Sequence, residues 1–569
     1  MYLSANYYSI HYFESVNSFM ENSLFFSKFS LGILIHQRLK LTLVIIMLKR
    51  FLSLYIFFIF SFMVLLGRIY YIAQKDYTTV TARQSTRTVT VGEKRGEIYD
   101  RNFNRLINSE TRLLAAVTPC VGSYEYLKGK VDEEYLKEKI TNASPFIVEI
   151  DQEINNEFIR TFSVPQRYSD QQIASHLIGY TDNSGKAGVT GIEKAYNSYL
   201  TENSGKLNVS FQVDAVGRVL AGMDKYIDDK GFSSKAGIVL TIDKSIQEIA
   251  ESALKNSKIK SGAVVVMKVH TGEIYAMASI PTYNPNKVAD SLLAENSPFV
   301  NKALMSYSVG SIFKPLVAAT ALENGISPEY EYECKGEISV GDRVFKCYNN
   351  KSHGKINMQE ALSVSCNTYF INLISEIDVD LLLELCESIG LGSRLTLAPD
   401  LGSSAGSLPE RNTLDIKGNL ANFAFGQGDI LASPLQIASA YNTIATGNVI
   451  KPQLIMGFAN YMGLMTKEPK NSQIKVLSDE TVIKLRKMLA VAAEVNGCSL
   501  NLLKAAGKTG TAQSGTFIDD KEVLRTWFAG FFPADNPNYV VVVLNENGKS
   551  GYADCCPVFK DIVENMILR

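Results

Sequence analysis

Little in this chain of 569 residues invites a charged or metallic partner. Lys and Arg number 57 against 58 Asp and Glu, so no net field draws the protein to nucleic acid. The five histidines show no metal-ligand spacing, and neither metal nor cofactor is expected. His176, in His176-Leu177-Ile178-Gly179, reads as a packed side chain. Eight cysteines are too few over this length for a disulfide-built fold. The single tryptophan, Trp527, reads as core. Internal repeats and low-complexity tracts are absent from the sequence.

What is present is unevenly placed. Phe51 to Ala73 is an apolar run with Arg68 as its only charge, about the 20 residues that a bilayer requires. Lys49 and Arg50 precede it, with Arg38 and Lys40 further upstream. The excess of positive charge on that side predicts a cytoplasmic N-terminus and an external remainder. The run lacks the small residues of a signal-peptide cleavage site, so it reads as an uncleaved anchor. Residues 1–46 show no clear periodicity, and Met47-Leu48-Lys49-Arg50 reads as a natural start of translation; a cytoplasmic tail is the alternative.

The rest divides near Asp228-Asp229-Lys230-Gly231, a polar, turn-rich stretch. The expected organisation is an N-terminal segment (1–50), an anchor (51–73), a mixed domain (74–232) and a larger domain (233–569). The larger domain opens with a strand, Gly237 to Ile242, and then a helix with an apolar face of Ile246, Ile249, Ala250, Ala253 and Leu254. A hairpin follows, Ala263–Met267 and Ile274–Ala278 around Thr271-Gly272. Near the C-terminus Thr526–Phe532 and Tyr539–Asn545 form a second strand pair, followed by an amphipathic helix. Strands from both ends thus enclose a helical middle. The expected class is α+β, an antiparallel sheet covered by helices with a helical lobe inserted. Cys334 and Cys347 flank the short hairpin-like stretch GEISVGDRVFK and are a candidate disulfide. Cys366 reads as a small buried side chain.

Three short motifs carry chemistry. Ser311-Ile312-Phe313-Lys314 follows Gly310 and precedes Pro315, which places Ser311 at a helix start. The i,i+3 spacing brings the Lys314 amine beside the Ser311 hydroxyl, where a neutral amine takes the proton. A Ser three residues before a Lys arises by chance roughly three times in such a chain, so alone it means little. Ser365-Cys366-Asn367 stands at the start of an apolar helix or within it, and a plain helix cap explains it equally. Lys508-Thr509-Gly510-Thr511 precedes a strand-like stretch and by itself is compatible with a turn.

In this order the three motifs match the set described for penicillin-binding proteins and serine β-lactamases, and the conjunction is far more specific than its parts. The C-terminal domain resembles the transpeptidase domain of class B penicillin-binding proteins over nearly its whole length. Pro281-Thr282-Tyr283-Asn284-Pro285, Phe425-Gly426-Gln427-Gly428 and Ser433-Pro434-Leu435-Gln436 add to the likeness. The preceding segment resembles that family's pedestal through Arg95-Gly96-Glu97-Ile98-Tyr99-Asp100-Arg101-Asn102, Gly191-Ile192-Glu193 with Tyr196, and Asp214-Ala215-Val216-Gly217-Arg218. It departs at Phe103, where the family usually has Gly; the left-handed turn residue is therefore expected at Asn104.

The resemblance implies a D,D-transpeptidase of bacterial cell-wall synthesis that uses no cofactor. Ser311 would be acylated by a D-alanyl-D-alanine stem peptide, with Lys314 as base and the N–H groups of Ser311 and Thr511 as oxyanion hole. Ser365 would protonate the leaving amine and Asn367 would hold the peptide amide and orient Lys314. Lys508 and Thr509 would bind the terminal carboxylate, and Gly510 would keep the strand edge open. Implied partners are stem peptides on lipid-linked precursor strands, β-lactams as covalent inhibitors and a separate membrane glycosyltransferase. The alternatives are a β-lactam sensor or scaffold without turnover and a lactamase-like hydrolase. The hydrolase would need a water-activating glutamate, for which Glu410 is the one loop candidate.

Overall fold

The computed structural model describes residues 18–74, 85–220, 222–498, 500, 503–518 and 520–569; the first 17 residues of the expected N-terminal segment lie outside these. The chain forms two compact units, Met1–Ser85 and Thr86–Arg569. In the first, a helix spans Ser18–Gln74, so residues read as aperiodic before Met47 are helical from Ser18 onward. Within it Leu41–Gln74, 34 residues, is long and apolar enough to cross a membrane. At 1.5 Å per residue that stretch is about 50 Å, longer than a hydrocarbon core of about 30 Å. The apolar span begins ten residues before Phe51.

The second unit is organised by a five-stranded antiparallel sheet in the order Ile274–Ile280, Gly262–Lys268, Tyr539–Gly548, Lys521–Phe532, Ala506–Ile518. Its two central strands are runs of apolar residues because both faces are covered. Val264, Val266, Val541 and Val543 face one core with the helices Lys244–Asn256 and Gly551–Ile567. Ala263, Val265, Val540 and Val542 face the other with Lys314–Glu323 and Pro434–Thr446. The period of two that separates them is that of a pleated strand. The α+β class and both strand pairs expected from the sequence are present, the C-terminal pair extended to Lys521–Phe532 and Tyr539–Gly548.

Trp527 is fully buried on the strand next to the edge, its indole N–H donating to Ser308 O at 3.0 Å. Ser308 lies three residues before the first motif, so this ring anchors the approach to it. Trp527→Ala should cost about 3–5 kcal/mol of stability, measured by denaturant unfolding of the soluble unit against wild type.

Residues 86–232 pack partly on the rest and partly around two cores of their own, one with Val91, Val164 and Phe211 and one with Leu127, Leu136 and Ile159. Glu97–Tyr99 pairs in parallel with Gly237–Leu240, which pairs in turn with Ile455–Ala459. Ile98, Leu106 and Leu177 join the same core as the helices Lys314–Glu323 and Pro434–Thr446. The buried Glu193 carboxylate is held by Arg95 at 3.4 Å and Arg167 at 2.6 Å, with the Tyr168 hydroxyl donating to it at 3.1 Å. The pedestal-like motifs are thus packing and turn chemistry. One expectation is corrected: the left-handed residue in the first of them is Phe103 (φ 63°), not Asn104. Asp100 Oδ1 accepts from the backbone N–H of Asn102 and Asn104, and the Asn104 amide donates to Asp100 Oδ2, which fixes Asn104 and leaves the inversion to Phe103.

Candidate active site

The first motif is a 3₁₀ turn, Gly310–Phe313, running directly into the helix Lys314–Glu323, with Pro315 in its first turn. Pro is tolerated there because that N–H has no partner within the helix. Gly310 has φ 59°, and a Cβ on it would lie 2.9 Å from Thr511 O and 3.0 Å from the Ala512 Cβ. Glycine therefore lets the Ser311 turn press against the edge strand. Its N–H donates to Gly426 O at 2.8 Å, which ties the Phe425-Gly426-Gln427-Gly428 stretch to the same turn.

The second motif reaches the first through Lys314. The Lys314 amine donates to Ser365 O at 2.8 Å and Asn367 Oδ1 at 2.8 Å, and lies 3.2 Å from Ser365 Oγ. Ser365 Oγ in turn donates to Ser311 Oγ at 2.9 Å. The path from Ser311 to the lysine is thus bridged by Ser365, whereas the i,i+3 spacing predicts a direct contact. Ser365 has φ 56°, an uncommon conformation for a residue with a Cβ, and one that recurs at functional sites. The cap of the helix Asn367–Leu373 is Cys366, whose sulfur accepts from Tyr369 N, so Ser365 is free of a capping role. Lys314 is fully buried, and desolvation pushes its amine down to about 7.

The third motif lies on the edge strand Ala506–Ile518, in register with Lys521–Phe532: Lys508 opposite Ala529 and Gly510 opposite Trp527. Lys508 is 1 % exposed and donates to Thr509 O at 3.0 Å. Burial, and then the Lys314 charge, holds its amine well below the usual lysine range. Thr509 Oγ1 is 3.5 Å from Asn496 Oδ1. A Cβ on Gly510 would lie 2.9 Å from Ile312 Cγ2 and 3.3 Å from Ile312 N, so this glycine is needed for the strand to close on the Ser311 turn. Gly510→Ala is expected to lower the acylation rate by roughly tenfold to a hundredfold through misplacement of the strand, read by stopped-flow penicillin binding.

The cysteines are arranged otherwise than their spacing suggests. The disulfide joins Cys498 to Cys556 with a Cα separation of 5.4 Å. Cys334 and Cys347 are unbonded thiols with sulfurs 3.8 Å apart. They share a buried cluster with Cys366 and His353, two residues the sequence reading did not connect to them. The four span 33 residues at intervals that no short ligand motif displays, and the hairpin Glu337–Val340 with Arg343–Lys346, the strand pair Tyr332–Cys334 with Gly354–Ile356 and the cap of the helix Asn367–Leu373 bring them together. His176 is packed as expected, its ring nitrogen 2.7 Å from Pro298 O and its pKa pushed down to about 4 by burial. Glu410 is exposed ahead of the 3₁₀ turn Arg411–Asp415.

A helix-start serine, a buried amine within one hydroxyl of it and a sheet edge alongside are the parts that serine acyl transfer requires. Residues 262–564, more than half of the chain, match the penicillin-binding protein transpeptidase domain, and the chain belongs to that family. It is 27% identical over 426 residues to a peptidoglycan D,D-transpeptidase, MrdA, of Acinetobacter baumannii, covering 68% of this chain and 61% of that relative. It is 26% identical over 550 residues to the stage V sporulation protein D of Bacillus subtilis, covering 88% and 82%. Among solved structures, penicillin-binding protein 3 of Mycobacterium tuberculosis complexed with ampicillin shares the fold, with a TM-score of 0.62, 23% identity, and coverage of 85% of this chain and 96% of that one.

Proposed function

We propose that this protein is a peptidoglycan D,D-transpeptidase that cross-links stem peptides through an acyl-enzyme on Ser311. The observation that carries the reading is the hydrogen-bonded run from Ser311 through Ser365 to a fully buried Lys314, closed by Asn367. Ser311 Oγ attacks the carbonyl of the penultimate D-alanine, and its proton passes to the neutral Lys314 amine, with Ser365 as the intervening hydroxyl. Hydroxyl groups both donate and accept, so the Ser365 bridge serves in either direction. The backbone N–H groups of Ser311 and Thr511 take the developing oxyanion, each worth a few kcal/mol, on the order of a hundredfold in rate. Collapse of the tetrahedral adduct breaks the C–N bond, and Ser365 gives the leaving D-alanine amine its proton. An amine from a neighbouring stem peptide then attacks the ester and frees Ser311.

Lys508 and Thr509 receive the terminal carboxylate. An anion beside Lys508 favours the ammonium that burial otherwise disfavours, so substrate binding raises the pKa of this amine. Asn367 Oδ1 fixes Lys314, and its amide donates to Lys346 O at 3.0 Å. Residues 74–232 serve as a pedestal, and the apolar helix anchors the chain once, with the N-terminus cytoplasmic and the catalytic domain outside. β-Lactams would acylate Ser311 as substrate mimics, and glycan polymerisation would come from a separate membrane glycosyltransferase. A relative in fold was solved as part of a peptidoglycan synthase complex that coordinates polymerization and crosslinking, with a TM-score of 0.65.

The test is turnover of a synthetic D-alanyl-D-alanine pentapeptide with and without an amine acceptor. Release of D-alanine with capture of the acceptor is expected. Release into water alone would make the protein a hydrolase, and one equivalent of D-alanine released with a stable adduct and no turnover would make it a sensor.

A further inference from the structure

Beside the active site, and unused by the mechanism, lies the cluster of Cys334, Cys347, His353 and Cys366, whose ligand atoms are all within 4.8 Å of one another. The three thiols are buried and the imidazole partly so. Three of the six separations are close to those of a coordination shell. Cys334 Sγ to Cys347 Sγ is 3.8 Å, Cys347 Sγ to Cys366 Sγ is 3.7 Å and Cys334 Sγ to His353 Nδ1 is 3.3 Å. A tetrahedral zinc with Zn–S of about 2.3 Å and Zn–N of about 2.0 Å places sulfurs about 3.8 Å apart and sulfur to nitrogen about 3.5 Å apart. The Thr368 hydroxyl stands 3.2, 3.6 and 3.4 Å from the sulfurs of Cys334, Cys347 and Cys366, where it supports thiolates rather than an apolar packing. Three sulfurs and one imidazole nitrogen in a closed, four-fold set suit a borderline-soft, geometrically undemanding cation.

We propose that Cys334, Cys347, His353 and Cys366 bind one Zn²⁺ ion, which ties the Glu337–Lys346 hairpin to the Ser365-Cys366-Asn367 motif and so holds the proton path of Ser311 in place. The tie is direct. Cys366 is the residue between Ser365 and Asn367, and Cys347 follows Lys346, whose carbonyl accepts from the Asn367 amide. Cys334 and His353 complete the set from the ends of the strands Tyr332–Cys334 and Gly354–Ile356, where Cys334 pairs with Gly354. The ion would brace a loop whose key serine has a left-handed backbone that its own sequence does not favour. It also excludes the Cys334–Cys347 disulfide, because the same two sulfurs cannot be both bonded to each other and ligating as thiolates.

The occupancy of the site is independent of the transpeptidase reading; its effect on acylation rests on that reading. The experiment uses the full chain purified in detergent from zinc-supplemented cells. Elemental analysis by plasma mass spectrometry should give one zinc per chain, and replacement by Co²⁺ should give thiolate charge-transfer and tetrahedral d–d bands, both read without penicillin. Cys347→Ser and the milder His353→Ala should lose them. Stripping zinc from wild type with a chelator should slow fluorescent-penicillin acylation by ~10-fold, reversed by added Zn²⁺. Substoichiometric metal with no cobalt spectrum would overturn the proposal, as would metal that persists in Cys347→Ser or a Cys334–Cys347 disulfide found by mass mapping. Acylation unchanged by stripping would overturn the link to the proton path. Stripping acts on the wild-type chain, so a variant that fails to fold does not shield the proposal.

Discussion

Ser311→Ala is expected to abolish the covalent penicillin adduct and to reduce transpeptidation by on the order of 10⁵- to 10⁶-fold, the loss seen when a nucleophile acting as part of a unit is removed. Ser311 Oγ ends the hydrogen-bonded run, and the neighbouring Ser365 hydroxyl cannot replace it: Ser365 Oγ lies 2.9 Å from Ser311 Oγ and 3.2 Å from Lys314 Nζ, on the base side of the path. Substrate binding should survive, because Lys508 and Thr509 lie on a separate strand. Intact mass spectrometry after incubation with benzylpenicillin reads the result. A wild-type adduct of one drug per chain that persists in Ser311→Ala would place the nucleophile elsewhere and sink the assignment.

The second large effect is on the pH dependence of acylation. Burial holds Lys314 down to about 7, and the amine acts as a base only when neutral. Below that value the protonated fraction dominates, so the acylation rate should fall ~10-fold for each pH unit of acidification and level off about one unit above the pKa. An ordinary exposed lysine, at about 10.4, would still be rising at pH 9. Stopped-flow acylation followed from about pH 5 to 9 measures the profile. Lys314→Ala should remove the inflection together with most of the rate. A flat profile in wild type would show that proton transfer to Lys314 does not limit acylation.

The reading of the strands shows where local pattern suffices. Ala263–Met267 and Tyr539–Leu544 are apolar at every position, which only strands covered on both faces tolerate, and the turn residues at Thr271-Gly272 and at 533–537 set the two hairpins to which they belong. The same holds for Asp243 before the helix Lys244–Asn256: its carboxylate accepts from Ser245 N and Ile246 N, a short-range interaction written in three residues. Phe103 shows the opposite. Asn has the better intrinsic tolerance of a left-handed backbone, yet the Asp100 carboxylate holds Asn104 from two sides and the inversion falls on the aromatic residue.

At the site, the sequence by itself determined the chemistry-bearing residue types and their order, Ser311 with Lys314, Ser365 with Asn367, and Lys508 to Thr511, because each motif is a short run of neighbouring residues. It also determined the apolar span. Tertiary structure alone decided that Ser365 stands between Ser311 and Lys314, and that burial lowers the pKa of both lysines. Desolvation depends on everything packed around a group, and none of that is encoded in its neighbours in sequence. The cysteines make the same point: the disulfide closes over 58 residues between Cys498 and Cys556, while Cys334, Cys347, His353 and Cys366 converge from three strand ends and a helix cap. Which sulfurs meet is a property of how hairpin, loop and helix dock, and docking is set by the burial of the whole apolar core rather than by any local pattern.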